Sequence, residues 1–253
     1  MTKLTLVGGP TTLIEYAGAK FLTDPTFDDA ENEYNLGSVK LTKNTPPALK
    51  AEAIGQIDAV LLSHDQHSDN LDNAGRELLP SAAKVYTTVS GAGRLGGNAE
   101  GLEPWQSFDM ISETGKKIKI TATPCRHGPP LIEKIAGDVI GFVLQSDGEP
   151  TVYITGDTVY YKGVSDVADR FEIDLMLAFA GAARTRGPFE LTMTVSDLLE
   201  SAQTFAGAQI MPVHFEGWEH FTQGIDDITQ AFAAFGLSDR LFIVEKGEIR
   251  EFI

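Results

Sequence analysis

The chain has 253 residues, 42% hydrophobic and 22% charged, with a formal net charge of −16 and one cysteine, Cys125. A chain this long buries a core without disulfides or a structural metal, so any metal it holds serves chemistry. Its acidity excludes nucleic acid and anionic lipid as expected partners, and the lone cysteine fits a reducing compartment.

The N-terminal residues MTKLTLVGGPTTLIEY show no signal-peptide pattern, and no apolar run reaches the ~18 residues of a membrane span. A cytoplasmic protein without a membrane partner is expected. Leu4–Val7, Thr12–Tyr16 and Lys20–Thr23 are short apolar or alternating runs separated by Gly8-Gly9-Pro10 and Ala17-Gly18, which predicts strands. Asp28–Pro47 is polar and reads as a surface loop. Ile57–Leu62 predicts a buried strand, and Leu71–Leu79 a helix. Strands follow at Lys84–Val89, and at two places within Met110–Thr123 around Glu113-Thr114-Gly115.

Val139–Gln145 and Thr151–Thr155 read as a hairpin around Asp147-Gly148. Helices are expected at Val159–Arg170, Thr194–Phe205 and Ile225–Phe235, the last stopped by Gly236. Leu175–Phe179, Ala208–Val213, Leu241–Val244 and Glu248–Phe252 complete the strands. Strands come first, then helices and strands alternate. That order predicts a layered α/β fold of two sheets with helices outside, in one domain over residues 1–253.

The chemistry-bearing residues cluster where these runs end. His64 and His67 follow Ile57–Leu62, His127 follows the strand region that ends near Thr123, Asp157 follows Thr151–Thr155, and His214 follows Ala208–Val213. Strand ends in α/β proteins are where loops aim polar groups into a common crevice. Each has a plainer reading. Asp69 or Asn70 suits the cap of the next helix, Gly156-Asp157-Thr158 suits a turn, and His214 suits a core imidazole. Five such coincidences at strand ends favour a shared site. Arg126, Arg184 and Arg186 are candidates for an anionic substrate group, against surface ion pairs. Trp218 reads as a pocket wall or as core, and His220 as a proton donor or a surface residue.

The pattern resembles the metallo-β-lactamase superfamily and, more narrowly, its branch related to ascorbate-6-phosphate lactonase. Thr12–Glu15 with Phe21–Pro25 resembles the opening strands and first aspartate; Leu61–Asp69 resembles the histidine-rich motif. His127, Gly156-Asp157-Thr158 and Pro212-Val213-His214 match the later motifs in order. The resemblance implies a four-layer αββα sandwich and one or two divalent transition-metal ions (Zn, Mn, Fe or Ni). It implies hydrolysis of a small-molecule ester, lactone or phosphoester by metal-bound hydroxide. The ligand set it implies is His64, His67, Asp69, His127, Asp157 and His214, with Gln66 competing with His67 for the second-histidine place. The usual His-x-His-x-Asp-His motif has gained a residue here, and its last histidine is Asn70. Asp65, Asp69 and His220 are the candidate catalytic residues, and Asp24, Asn70, Arg126 and Trp218 the candidate substrate contacts. The altered motif leaves a binding relative without catalysis as the alternative. A homo-oligomer is an open expectation.

Overall fold

The computed structural model describes residues 2–37, 39–185 and 187–253. In chain order the first strands are β1 (Thr2–Gly8), β2 (Thr11–Tyr16) and β3 (Ala19–Thr23), then a hairpin of β4 (Glu33–Leu36) and β5 (Val39–Thr42). α1 (Ala51–Ile54), β6 (Ala59–Leu61), α2 (Asn73–Leu78), β7 (Lys84–Thr88), α3 (Val89–Leu95) and β8 (Ala99–Leu102) follow. The second part holds β9 (Ser107–Ile111), β10 (Lys117–Pro124), α4 (Glu133–Ala136), β11 (Ile140–Gln145), β12 (Val152–Ile154) and α5 (Lys162–Ala168). It closes with β13 (Leu175–Phe179), α6 (Val195–Thr204), β14 (Gln209–Val213), α7 (Ile225–Ala234) and β15 (Ile249–Phe252).

Side-chain alternation along these strands builds the layers. In the first sheet, ordered β15-β1-β2-β3-β6-β7-β8, Leu6, Ile14, Phe21 and Leu61 face one side. They meet Ile120, Phe142, Ile154 and Leu177 of the second sheet, ordered β14-β13-β12-β11-β10-β9. Their neighbours Val7, Leu13, Leu22, Val60 and Leu62 face the other way and pack on Ile54, Leu71 and Leu78. On the far side, Val143, Tyr153, Met176 and Ile210 pack on Val164, Leu198 and Phe232 of α5, α6 and α7. Three apolar interfaces therefore separate four layers, helix–sheet–sheet–helix, as expected for an αββα sandwich.

Strand direction positions the site. β12, β13 and β14 are mutually parallel, and β10 runs the same way because two antiparallel steps, through β11, separate it from β12. The residues after β10, β12 and β14 therefore leave the second sheet at one edge. β3 and β6 pair in parallel in the first sheet, so the residues after them also share an edge. The two sheets are stitched at this place by His214 N–H donating to Gly9 C=O at 2.8 Å.

Three local expectations are corrected. Residues 28–47 are not all loop: β4 and β5 pair, because Tyr34 and Leu41 bury against Trp218. The helix after the histidine motif is capped by Asp72, whose side chain accepts from Gly75 N–H at 2.8 Å, and not by Asp69 or Asn70. Asp72 also accepts from Phe27 and Asp28 N–H and pairs with buried Lys43 at 2.9 Å, which ties the hairpin to this corner. Residues 241–244 do not form a strand; Leu241 makes one bridge, to Ile210, and Lys246 one to Leu6. α3 and β8 have no counterpart in the sequence reading, because Gly91, Gly93, Gly96 and Gly97 break the periodicity there. Among the described residues no helix is long and apolar enough to cross a membrane.

Candidate metal centre

His64 follows β6 directly after Leu62 and Ser63. The chain turns there because Ser63 N–H donates to the Asp24 carboxylate at 2.7 Å. The two histidines, three apart, converge, and a second turn follows them, with Asn70 and Leu71 N–H both donating to His67 C=O. His64 Nε2 lies 2.9 Å from His67 Nδ1, and His127 Nε2 lies 3.3 Å from the same atom. His127 Nδ1 is 2.8 Å from the Leu191 carbonyl. A carbonyl only accepts, so this nitrogen carries the proton and Nε2 offers a lone pair to the cluster. Ser63 Oγ lies 2.9 Å from His64 Nδ1 and orients that ring.

The second cluster is Asp69, Asp157 and His214. His214 Nε2 is 3.4 Å from Asp157 Oδ1 and 3.5 Å from Asp69 Oδ2. Asp157 Oδ2 faces His127 Nε2 at 3.7 Å, so this carboxylate stands between the clusters. Gly156 makes its placement possible: φ is +63°, and a Cβ there would stand 2.6 Å from Ile140 O. His214 itself sits at φ +55°, a costly conformation for a residue with a Cβ.

Burial and charge set the protonation states. Burial, with the neighbouring imidazoles adding to it, holds His64 well below the usual range and His67 down at about 4. Burial opposes charge on His214 too, but Asp157 and Asp69 outweigh it and hold the imidazole up at about 10. Burial alone would raise Asp69 and Asp157; contacts with His214 overcome it and hold both carboxyls below their ordinary value. Asp24, fully buried beneath the site, is pushed well above its ordinary value by desolvation.

The donor set fits divalent transition metals. Within each cluster one ligand atom from every residue lies within 4.8 Å of the others. His214 Nε2 and Asp69 Oδ1 are buried without a hydrogen-bond partner, and a cation would satisfy them. Imidazole and carboxylate donors without thiolate suit Zn, Mn, Fe or Ni.

The remaining candidates are placed as follows. Gln66 does not join the histidines: its amide donates to Ala136 O and Asp138 O at 3.2 and 3.1 Å and accepts from Arg94 at 3.2 Å. Asp65 binds Arg94 through both oxygens, and its carbonyl accepts from Arg76. Neither carboxylate oxygen bonds a histidine, so the structure does not bring Asp65 to the reacting position expected of it. Asn70 donates to Asp157 Oδ1 at 3.2 Å, and His220 Nε2 lies 2.9 Å from Asp69 Oδ2. Asp24 has no exposed surface to offer a substrate. Trp218 is core, 5.4 Å from the Tyr34 ring, and Arg126 stacks on Tyr161 at 4.6 Å. Arg184 pairs with Glu190, and Arg186 lies outside the described residues.

A cavity of about 300 Å³ opens on His67, Asp69, His127, Asp157 and His220. Its walls are Ile132, Ile135 and Ala136 around α4, Ala183, Phe189 and Leu191 after β13, and Val39 and Leu41 of the hairpin. Sequence reading missed these walls and the Arg94 clamp. Only the apolar content of Leu131-Ile132 and Phe189 hinted at them.

The fold and this paired His/Asp arrangement define the class: the chain belongs to the beta-lactamase superfamily, whose domain profile matches residues 19–215. Within it the chain falls in the UPF0173 metal-dependent hydrolase family. It is 31% identical over 224 residues to a "UPF0173 metal-dependent hydrolase" of Pelotomaculum thermopropionicum, covering 83% of this chain and 89% of that one. It is 24% identical over 253 residues to the "UPF0173 protein YddR" of Bacillus subtilis, covering 97% and 98%. Among solved structures, the isothiocyanate hydrolase from Delia radicum gut bacteria is 26% identical with a TM-score of 0.85, over 99% of each chain. A "possible metal-dependent hydrolase" from Veillonella parvula shares the fold at a TM-score of 0.87 and 19% identity, again over 99% of each.

Proposed function

We propose that the chain is a hydrolase with two unlike divalent-metal sites, acting on a small-molecule ester, lactone or phosphoester. The observation that carries this is that His67 and His127 of one cluster and Asp69 and Asp157 of the other open on one cavity, with Asp157 facing both clusters. His64, His67 and His127 hold one ion, and Asp69, Asp157 and His214 the other. Bound there, the metals supply Lewis acidity, which makes water a nucleophile near neutral pH and polarises the scissile group.

The chain's own residues do the rest. Asn70 fixes the Asp157 carboxylate, and the Leu191 carbonyl fixes the His127 tautomer. The oxygen of water would bond the acyl carbon or phosphorus, its proton passing to solvent, while the bond to the leaving oxygen breaks with its electron pair. That oxygen takes up a proton. His220 lines the cavity and contacts Asp69 through Nε2, and we assign it the proton donation. Asp65 we assign to holding Arg94, not to proton transfer.

The resemblance of the sequence motifs to ascorbate-6-phosphate lactonases keeps a lactone among the proposed substrates. The likeness to an isothiocyanate hydrolase adds another electrophile, since water can add to the central carbon of that group as it adds to a carbonyl. The test is elemental analysis paired with a substrate panel. The purified chain should carry about one to two equivalents of metal, and His64→Ala and Asp157→Ala should each lose most of it. Turnover of an ester, lactone or phosphoester should disappear on chelation and return on re-addition. A chain that takes up no metal on titration refutes the proposal. Metal without turnover on any substrate instead selects a binding protein, a reading that Asn70 in place of the usual histidine favours.

A further inference from the structure

The walls of the cavity differ in kind from its floor. The floor is His67, Asp69, His127, Asp157 and His220; the walls, apart from Gln66 and Thr185, are apolar. Among the described residues, no lysine or arginine lines it. The described cations on the segments that build it do not line it. Lys40 pairs with Glu33, Lys43 with Asp72, Arg94 with Asp65 and Arg184 with Glu190. Arg126 lies over the Tyr161 ring, and Lys134 lines a neighbouring cavity that meets this one at His127.

The apolar surface continues outward. Of the lining residues, Ile135 is 69% exposed and Phe189 41%, so the rim of the cavity is hydrocarbon on both sides. A phosphate or carboxylate on the part of a substrate remote from the reacting bond would lose its hydration there and gain no fixed cation. The whole chain, at −16, adds a repulsive field. A volume of about 300 Å³ stands at the lower end for small-molecule sites.

Resting on the hydrolase reading above, we propose that this cavity selects an uncharged substrate whose compact apolar group seats against Ile132, Ile135, Phe189 and Leu191. It rejects substrates that carry a second, anionic group. Ester, lactone and other neutral electrophiles are then preferred over phosphorylated ones, and α4 with the segment after β13 determines specificity.

The test uses the metal-loaded protein and two esters of matched size, 4-ethylphenyl acetate and 4-(carboxymethyl)phenyl acetate. Their unreactive amide counterparts are titrated by calorimetry. The neutral ester should be favoured by about 100-fold in kcat/KM, and the neutral amide should bind the tighter by a similar factor. Ile132→Lys should narrow both gaps by about tenfold while metal content, read by elemental analysis, stays unchanged. Ile132→Leu should keep the wild-type preference. Equal kcat/KM for the two esters, or equal affinity for the two amides, overturns the inference and leaves the hydrolase reading standing. If neither ester turns over, the hydrolase reading is the one in difficulty. The amide pair still decides selectivity then: tighter neutral binding supports it, and equal or no binding overturns it.

Discussion

The two halves of the metal centre solve the same problem with opposite chemistry. The histidine cluster offers three imidazoles and no carboxylate, and burial keeps His64 and His67 from taking up a second proton. The acidic cluster offers two carboxylates, whose mutual repulsion in a buried place is relieved by a proton on His214. Three neutral ligands leave a divalent ion its full charge and hence its full polarising power; two carboxylates cancel that charge and anchor the ion. The difference teaches that one site is ready to bind while the other must first lose a proton.

The strongest way to break this comparison is to remove the carboxylate both clusters face. Asp157→Ala should strip metal from both, a loss of more than the roughly 10–100-fold that outer contacts cost. Loss from the acidic cluster alone, read as one retained equivalent, would show that Asp157 does not bridge. Next in size is pH. The proton on His214 stabilises the metal-free fold fully below an unfolded value near 6.5, and that contribution is lost as pH rises through about 10. Metal at the acidic cluster displaces that proton, so its affinity should climb about tenfold per pH unit between about pH 7 and 9. His67, held near 4, gives the histidine cluster no such slope in that window. Chelator-competition titrations at several pH values measure both slopes, and parallel slopes would remove the asymmetry.

Smaller effects sharpen it. Asn70→Ala releases one hydrogen bond to Asp157 and should weaken the acidic cluster by about tenfold, leaving the histidine cluster within error. Gln66→Ala should leave metal stoichiometry unchanged and lower stability by about 1–2 kcal/mol, from two lost hydrogen bonds to the 136–138 backbone. A fall in metal content in that variant would make Gln66 a ligand after all.

Much of the floor was legible in the sequence. His64, His67, Asp69, His127, Asp157 and His214 each follow or lie close to an apolar run, and strands that point one way bring such residues to one edge. The ambiguity at Gln66 and His67 was not legible, because it turns on local contacts that spacing does not encode: Asn70 and Leu71 N–H donate to His67 C=O, and the Gln66 amide donates to Ala136 and Asp138 C=O. The walls were not legible either. Val39, Ile132 and Phe189 come from three segments far apart in the chain, and no periodicity links them. Asp65 looked like a base because it stands between histidines; Arg94, twenty-nine residues on, takes both its oxygens.

Gln66 also constrains how this chain can change over evolutionary time. Its amide fills the space beside Gly137, where φ is +93° and a Cβ would stand 2.4 Å from Gln66 Nε2. A histidine at position 66 would free two backbone carbonyls in the loop that carries the cavity wall, before any gain at the metal could be realised. Position 66 is therefore coupled to that loop: a side chain at 137 would have to displace the Gln66 amide, so substitutions at 66 and 137 should be non-additive.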